Sequence, residues 1–258
     1  MNKIIFFGNG PLADAAKNIL EKHCEIIFHA RSKEDLETVK EIKAKNPEAQ
    51  GILASFGVMI KSDILDIFEP EGILNIHPSL LPKYRGASPI ESAILNGDND
   101  FSVSIMKLVK AMDAGPVYYQ TTLNNLPLNK ATIYETLATT GANWLVENMD
   151  SLPEPTMQDE EKATFCGKFD RSMGELTPES DTAEKTFRKI IAYQDFPKPK
   201  HTFFSIKCII KKAHLATTNE QPAISITCAD GGKIAIDELQ PEGRKAMDAK
   251  SFLNGYKK

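Results

Sequence analysis

Cysteine is scarce in this 258-residue chain. Cys24, Cys166, Cys208 and Cys228 are scattered, and no Cys-x-x-Cys pair occurs. That excludes a disulfide framework and a zinc site built on paired thiolates, so no metal is expected, and a reducing cytoplasm is the expected location. Long apolar runs are missing as well. Mostly apolar stretches such as Cys24–Ala30 and Val103–Met106, themselves broken by Glu25, His29 and Ser104, fall far short of the roughly 20 residues a membrane helix needs. The opening Met1-Asn2-Lys3 runs straight into Ile4–Phe7. That start is too short for a signal peptide and is expected to be a first strand. No internal repeat or low-complexity segment interrupts the chain. With 41% apolar and 26% charged residues, disordered and collagen-like architectures are excluded too.

What remains is a globular chain longer than one typical domain of roughly 100–150 residues. One large domain, or a medium and a small one, would account for it. Charge favours the division. Residues 1–162 carry 15 Lys+Arg against 23 Asp+Glu, a net of −8, and residues 163–258 carry 16 against 12, a net of +4. An acidic first part and a basic second part suggest two tasks, the second involving a polyanion. Oligomeric state leaves no mark in the sequence, and a monomer is the expectation.

Residues 1–110 alternate strand-like and helix-like segments. Ile4–Phe7, Cys24–His29, Gly51–Phe56 and Gly72–Ile76 read as buried strands. Between them, Leu12, Ala15, Ala16, Ile19 and Leu20 recur at helical spacing behind Pro11. Leu36, Val39 and Ile42 do the same, and a short helix is expected from Ser62 to Phe68. Ser88-Pro89-Ile90-Glu91 carries a capping box, and Gly97 closes that helix. Such alternation predicts a doubly wound, mostly parallel, Rossmann-like α/β sheet. Phe101–Val109 and Val117–Thr122 extend it with longer strands, and Ile133–Met149 is a long amphipathic helix holding the single tryptophan, Trp144. Ser151–Lys162, rich in Pro, Glu and Asp, is expected to be a surface connection. After a helix around Ala183–Ile191, short strands follow at Thr202–Ile206, Cys208–Ala213, Ala223–Cys228 and Lys233–Leu239. Asp230-Gly231-Gly232 is a hairpin signal between the last two. Evenly spaced short strands predict a small, OB-like β-barrel. The expected boundaries are 1–165, a linker at 166–180, and 181–258.

Chemistry concentrates in Gly72–Gly86, GILNIHPSLLPKYRG. Alternation puts Asn75 and His77 on one face at a strand's carboxyl end, where open α/β sheets take ligands. Pro78 and Pro82 stiffen the loop that follows. Asp113 sits in a Met-Asp-Ala-Gly-Pro turn; alone it would be a turn former. Together, an amide, an imidazole and a carboxylate suit attack of an amine on a formyl group. Such an attack builds negative charge on the carbonyl oxygen and positive charge on nitrogen.

NIHPSLLPKYRGASPIESAILNGD, followed by Met112-Asp113-Ala114-Gly115-Pro116, closely resembles the folate-dependent formyltransferase family over nearly the whole first domain. The resemblance implies that Asn75, His77 and Asp113 are the catalytic trio and that Ser79, Leu80, Leu81 and Pro82 contact tetrahydrofolate. It also implies that the run holding Phe56, Val58 and Met59 lies against the pterin, with 10-formyltetrahydrofolate as co-substrate. Leu239–Met247, Phe252–Gly255 and Arg85–Ile90 resemble the methionyl-tRNA formyltransferases, which implies initiator methionyl-tRNA as acceptor and an OB-like barrel that holds it. Phosphate contacts need cations, and Arg85, Arg188, Lys207, Lys211, Lys212, Arg244 and Lys245 are the candidates.

One feature departs from that family. Its bacterial members typically carry a long basic loop after the second strand, but here His29 passes through Arg31-Ser32-Lys33 straight into a helix. An amino sugar attached to a nucleotide therefore stands as the alternative acceptor. Gly8-Asn9-Gly10-Pro11-Leu12-Ala13 also matches the dinucleotide fingerprint of an NAD(P)-dependent oxidoreductase. That reading asks for an acidic residue at the end of the second strand, where this chain has Phe28-His29-Ala30-Arg31. Glycinamide ribonucleotide is disfavoured by the second domain, and an RNA-binding role without catalysis would leave the trio without a purpose.

Overall fold

The computed structural model describes residues 1–256. Strand β1 (Lys3–Phe7) buries Ile4, Ile5, Phe6 and Phe7 completely, as a strand covered on both faces must. Pro11 opens α1 (Pro11–Leu20), its fixed φ suiting a first helical position. Strand β2 (Glu25–Ala30), helix α2 (Leu36–Lys45), strand β3 (Gln50–Leu53), helix α3 (Ser62–Leu65) and strand β4 (Ile73–His77) follow. A short strand β5 (Arg85–Gly86), helix α4 (Pro89–Asn96), strands β6 (Phe101–Lys107) and β7 (Val117–Leu123), helix α5 (Lys130–Asn148) and a short strand β8 (Phe165–Cys166) come next. Then come helix α6 (Ala183–Ala192), strands β9 (Lys200–Phe203), β10 (Ile206–Leu215), β11 (Ser225–Thr227), β12 (Lys233–Pro241) and β13 (Met247–Asp248), and helix α7 (Ala249–Tyr256). The chain divides into two units, residues 1–90 with 99–167, and residues 91–98 with those from 168 onward.

The first unit is built on a six-stranded sheet in the order β2-β1-β3-β4-β6-β7. The first four strands are parallel, and β6 and β7 add an antiparallel edge. The expected doubly wound sheet is present. Its edge differs because the turn carrying Asp113 joins β6 to β7 without a crossover helix, which permits only antiparallel pairing. Strand order reverses between β1 and β3, and ligand crevices form at the carboxyl ends around such a reversal. On one face Ile5, Phe7 and Ile73 pack with Val39 of α2 and Ile64 of α3. On the other, Gly141 of α5 lies so close to Ile76 that a Cβ would come within 2.7 Å of it. Ile73 and Ile76 thus fix which way β4 faces, and alternation sets Asn75 and His77 on the face of Ile73.

The second unit carries a curled antiparallel half-barrel, ordered β11-β12-β10-β9 with β13 on β12. Ile210, Ile226, Ile234, Leu239 and Phe252 make its core. The sequence reading joined Thr202–Ile206 into one strand, but the chain turns inside it. Phe204 and Ser205 take φ of 50° and 64°, left-handed conformations that neither residue advertises. The Asp230-Gly231-Gly232 hairpin is present, and the Asp230 carboxylate also accepts from the Ala183 N–H at the start of α6. Gly97 ends α4 at φ 87°, with Gly97 N–H on Ile94 O and Asp98 N–H on Ala93 O, the paired bonds of a Schellman stop.

Asp181 is the charged anchor of this unit. It is 3% exposed and accepts from Lys185, Lys189 and Thr177 Oγ1. Burial pushes its carboxyl up, but those donors outweigh burial and hold it at about 2. A depressed carboxyl pKa stabilises the fold above the unfolded value of roughly 4 and loses that contribution as pH falls towards about 2. Asp181→Asn should therefore cost about 2 kcal/mol at pH 7. In chemical melts the gap from the parent protein should narrow steadily as pH drops from 5 towards 2.5.

Candidate active site

Strand β4 is buried along its whole length, its two polar side chains included. Asn75 is 5% exposed, and among the described residues its amide has no hydrogen-bond partner. Its polar atoms are not sealed from solvent, since among the described residues Gln50 Nε2 alone is a fully buried side-chain polar atom without a partner, so the amide is left available to a ligand. His77, two residues on, is 4% exposed, and its Nε2 lies 3.1 Å from the Tyr84 carbonyl oxygen. A carbonyl only accepts, so Nε2 carries the proton and donates. The other ring nitrogen, Nδ1, faces the Asp113 carboxylate at 3.8 Å.

Asp113 stands at φ 47°, in a turn that only a close approach permits. A Cβ on Gly115 would come within 1.8 Å of the Lys107 carbonyl oxygen. The Asp113 Oδ2 accepts from the Gly86 N–H at 2.8 Å. Two anchors of the site therefore flank Arg85: the Tyr84 carbonyl holds His77 and the Gly86 amide holds Asp113. This tripeptide is itself laced to residues 164–166. Tyr84 N–H donates to Thr164 Oγ1, and Arg85 and Gly86 pair with Phe165 and Cys166. Gly86 has no alternative there, at φ 124° with the Cys166 carbonyl oxygen 2.0 Å from where a Cβ would go.

The folate-loop candidates divide by exposure. Ser79 is buried and its hydroxyl donates to the Lys83 carbonyl, while Leu81 is buried beside Met106 and Val117. Leu80 is exposed, and Pro82 accepts from Thr164 N–H. Of the Phe56–Ile60 run, Phe56 packs in the core against Phe7, Val58 is half-buried, and Met59 is 70% exposed. Met59 and Leu80 are thus exposed apolar side chains, while Phe56 and Leu81 are buried.

Several residues of this site escape sequence reasoning. Ser104 of β6, fully buried, donates to Ser79 O and accepts from Leu81 N–H and from Gln120 of β7, whose amide also reaches Leu81 O. His77, Ser104 and Gln120 lie in one cross-strand row; Ser104 shares its strand with Ser102 and Lys107, so nothing in the pattern singles it out. The segment Ser151–Lys162 is a surface connection, but it sends two side chains inward. Gln158 Nε2 donates to the carbonyls of Asp113 at 2.8 Å and Gly115 at 2.7 Å, and Glu160 pairs with Arg85.

Two of the polyanion candidates are corrected here. Arg85 is 2% exposed, with its guanidinium taken by Glu160 and Gln158, and those hydrogen bonds hold the Glu160 carboxyl below its usual range. Arg188 is buried too, bonded to Glu184 and to the carbonyls of Ile94 and Asp98. Both are occupied within their own units. Lys207 is exposed but paired with Glu175; Lys211 is half-buried; Lys212 is exposed with the Glu238 carboxylate 3.8 Å away, and Arg244 and Lys245 are exposed. The connection after β2 is short and tight, with the Arg31 and Ser32 amides both donating to Asp35. Among the described residues no cluster suits a metal ion and no helix is long and apolar enough to cross a membrane.

Comparison with known proteins decides the family. Residues 9–149 match the formyl transferase model and residues 180–257 match the model of its C-terminal domain. The chain belongs to the formyl transferase family. Among its formyltransferase relatives, the methionyl-tRNA formyltransferase of Dictyoglomus turgidum is 36% identical, over 84% of this chain and 74% of that one. The enzyme of the same name from Campylobacter lari is 31% identical, over 94% and 82%. Among solved structures, HypX from Aquifex aeolicus in complex with tetrahydrofolic acid shares the fold, with a TM-score of 0.75 at 16% identity. It spans all of this chain, while this chain spans 48% of HypX, about half its length.

Gly86→Ala should lower stability by about 3 kcal/mol or more, combining a left-handed φ with a backbone clash. Gly57→Ala, at φ 71° with open space around the Cβ, should cost only about 1–2 kcal/mol. Denaturant midpoints of the two variants check the contrast.

Proposed function

We propose that this protein transfers a formyl group from 10-formyltetrahydrofolate to the methionine amine of initiator methionyl-tRNA, a step that serves the start of translation. The observation that carries the reading is the Asn75 amide, bonded to no group among the described residues, on the same strand face as a His77 imidazole opposed by Asp113. Relatives at 31–36% identity bearing the name methionyl-tRNA formyltransferase support the acceptor.

In this reading, Asn75 donates an N–H to the formyl oxygen as negative charge develops on it. His77, with Nε2 committed to Tyr84, acts through Nδ1. That atom donates only in the imidazolium form, and Asp113 stands 3.8 Å away, opposite the positive charge. The amine nitrogen forms its bond to the formyl carbon and gives up a proton to the His77–Asp113 pair, directly or through water. The bond from that carbon to the folate nitrogen then breaks, and the nitrogen leaves with the electron pair and takes up a proton. Met59 and Leu80 give the folate apolar contact, and the exposed Lys212, Arg244 and Lys245 meet tRNA phosphates.

A nucleotide-linked amino sugar is the second reading, favoured by the short connection after β2. An acceptor panel separates the two: charged initiator tRNA, uncharged tRNA, glycinamide ribonucleotide and amino-sugar nucleotides, each with 10-formyltetrahydrofolate. Charged initiator tRNA is expected to be the acceptor used. Asn75→Ala, His77→Ala and Asp113→Ala should each lower turnover by on the order of 10²–10⁴ with folding intact. Near-wild-type turnover in any two would sink the assignment. Arg244→Ala combined with Lys245→Ala should raise KM for the charged tRNA more than that for folate, and flatten its salt dependence.

A further inference from the structure

Gln158 lies outside every segment that the family resemblance picked out, yet its side chain reaches the turn that carries Asp113. Both of its N–H groups are spent on that turn, at 2.8 Å from Asp113 O and 2.7 Å from Gly115 O. Its oxygen accepts twice from Arg85, from Nε at 3.0 Å and Nη2 at 2.8 Å. The cation therefore settles which way round the amide sits: oxygen to the guanidinium, nitrogen to the turn. Arg85 in turn is locked by two bonds of 2.8 Å to the Glu160 carboxylate.

The links close into a circuit. Backbone atoms on either side of Arg85 hold His77 and Asp113, through Tyr84 O and Gly86 N–H. The Arg85 side chain then runs through Gln158 to the Asp113 backbone. The Asp113 carboxylate is thus fixed from two directions, its oxygen by Gly86 and its main chain by Gln158. Asp113 sits in a left-handed conformation, which persists only when its surroundings over-determine it. Removing one hold would let the carboxylate drift, and small displacements of a reacting group cost rate steeply.

We infer that Gln158 is a positioning residue for formyl transfer, oriented by Arg85 and acting through the placement of Asp113 against His77. This rests on the function proposed above, so wild-type transfer in the same assay is the control for that reading. Gln158→Glu keeps the acceptor for Arg85 and removes the donors to the turn; Gln158→Met, of similar length, removes both. Each variant should melt as one cooperative transition. In each, kcat should fall on the order of 10- to 100-fold while KM for 10-formyltetrahydrofolate changes less than threefold, the split expected when only a transition-state interaction is weakened. A role confined to anchoring Arg85 would leave Gln158→Glu at wild-type kcat, and that result would overturn the inference.

A double-mutant cycle makes the decision independent of any loss of stability. In an Asp113→Asn background, adding Gln158→Glu should lower kcat less than twofold further, because the group it positions is already disabled. Full multiplication of the two losses would overturn the inference. Absence of transfer by the wild-type protein would instead remove the function proposed above.

Discussion

A guanidinium withdrawn from water is the constraint around which the first unit's active face is arranged. Arg85 is 2% exposed, and a buried charge without partners costs several kcal/mol. Glu160 and Gln158 supply them, and that demand draws residues 156–166 back across the sheet's carboxyl edge. Thr156 bonds to Val117 in both directions, and Phe165 and Cys166 pair with Arg85 and Gly86. The satisfied cation and the placed carboxylate are two ends of one network. Ordering that network serves geometry more than stability, since the buried guanidinium has lost its hydration while its Glu160 partner stays exposed, and such a pair returns little beyond that desolvation cost.

The carboxyl edge of the sheet shows the same economy of means elsewhere. Ser104 answers three polar groups with one hydroxyl, which pins the backbone of Ser79 and Leu81 from beneath. Gln120 then spans the Ser104 hydroxyl and the Leu81 carbonyl. The loop after His77 is thus held by its main chain, while Leu80 is left exposed. The main chain of this loop is thereby fixed independently of the Leu80 side chain.

Much of this was legible in the sequence, for identifiable reasons. Short continuous apolar runs carry β1 to β4, and apolar residues at helical spacing carry α1 and α2, because a doubly wound sheet buries whole strands and one stripe of each helix. Asn75 and His77 announced themselves as polar residues at the end of such a strand. The circuit behind them did not, because its members act through main-chain atoms. Tyr84 contributes a carbonyl and Gly86 an amide, groups every residue possesses. Gln158 lies in a stretch without periodicity, and its partners are 73, 45 and 43 residues away. Arg85 misled for the opposite reason: a basic residue suggests an outward charge, and only its partners reveal an inward one. The turn at Phe204 and Ser205 was hidden likewise, since neither residue is of a type that favours positive φ.

The arrangement bears on where acceptor choice resides. Asn75, His77 and Asp113 are held by the sheet, by Tyr84 and Gly86, and by the Asp113 turn, none of which depends on what supplies the amine. A scaffold of that kind fits formyl transfer to any amine delivered in line with the carbonyl, so it cannot by itself tell a charged tRNA from an amino sugar. Discrimination then falls to groups outside the trio. The connection after β2 is closed on itself by Asp35, which leaves it little freedom to wrap a large partner. The exposed cations of the second unit are oriented outward by strand alternation and by the turn at Gly243. Phosphate contacts of that kind are individually weak and salt-sensitive, but they add. The exposed Lys212, Arg244 and Lys245 and the trio lie in different units, the same division as the charge asymmetry of the sequence.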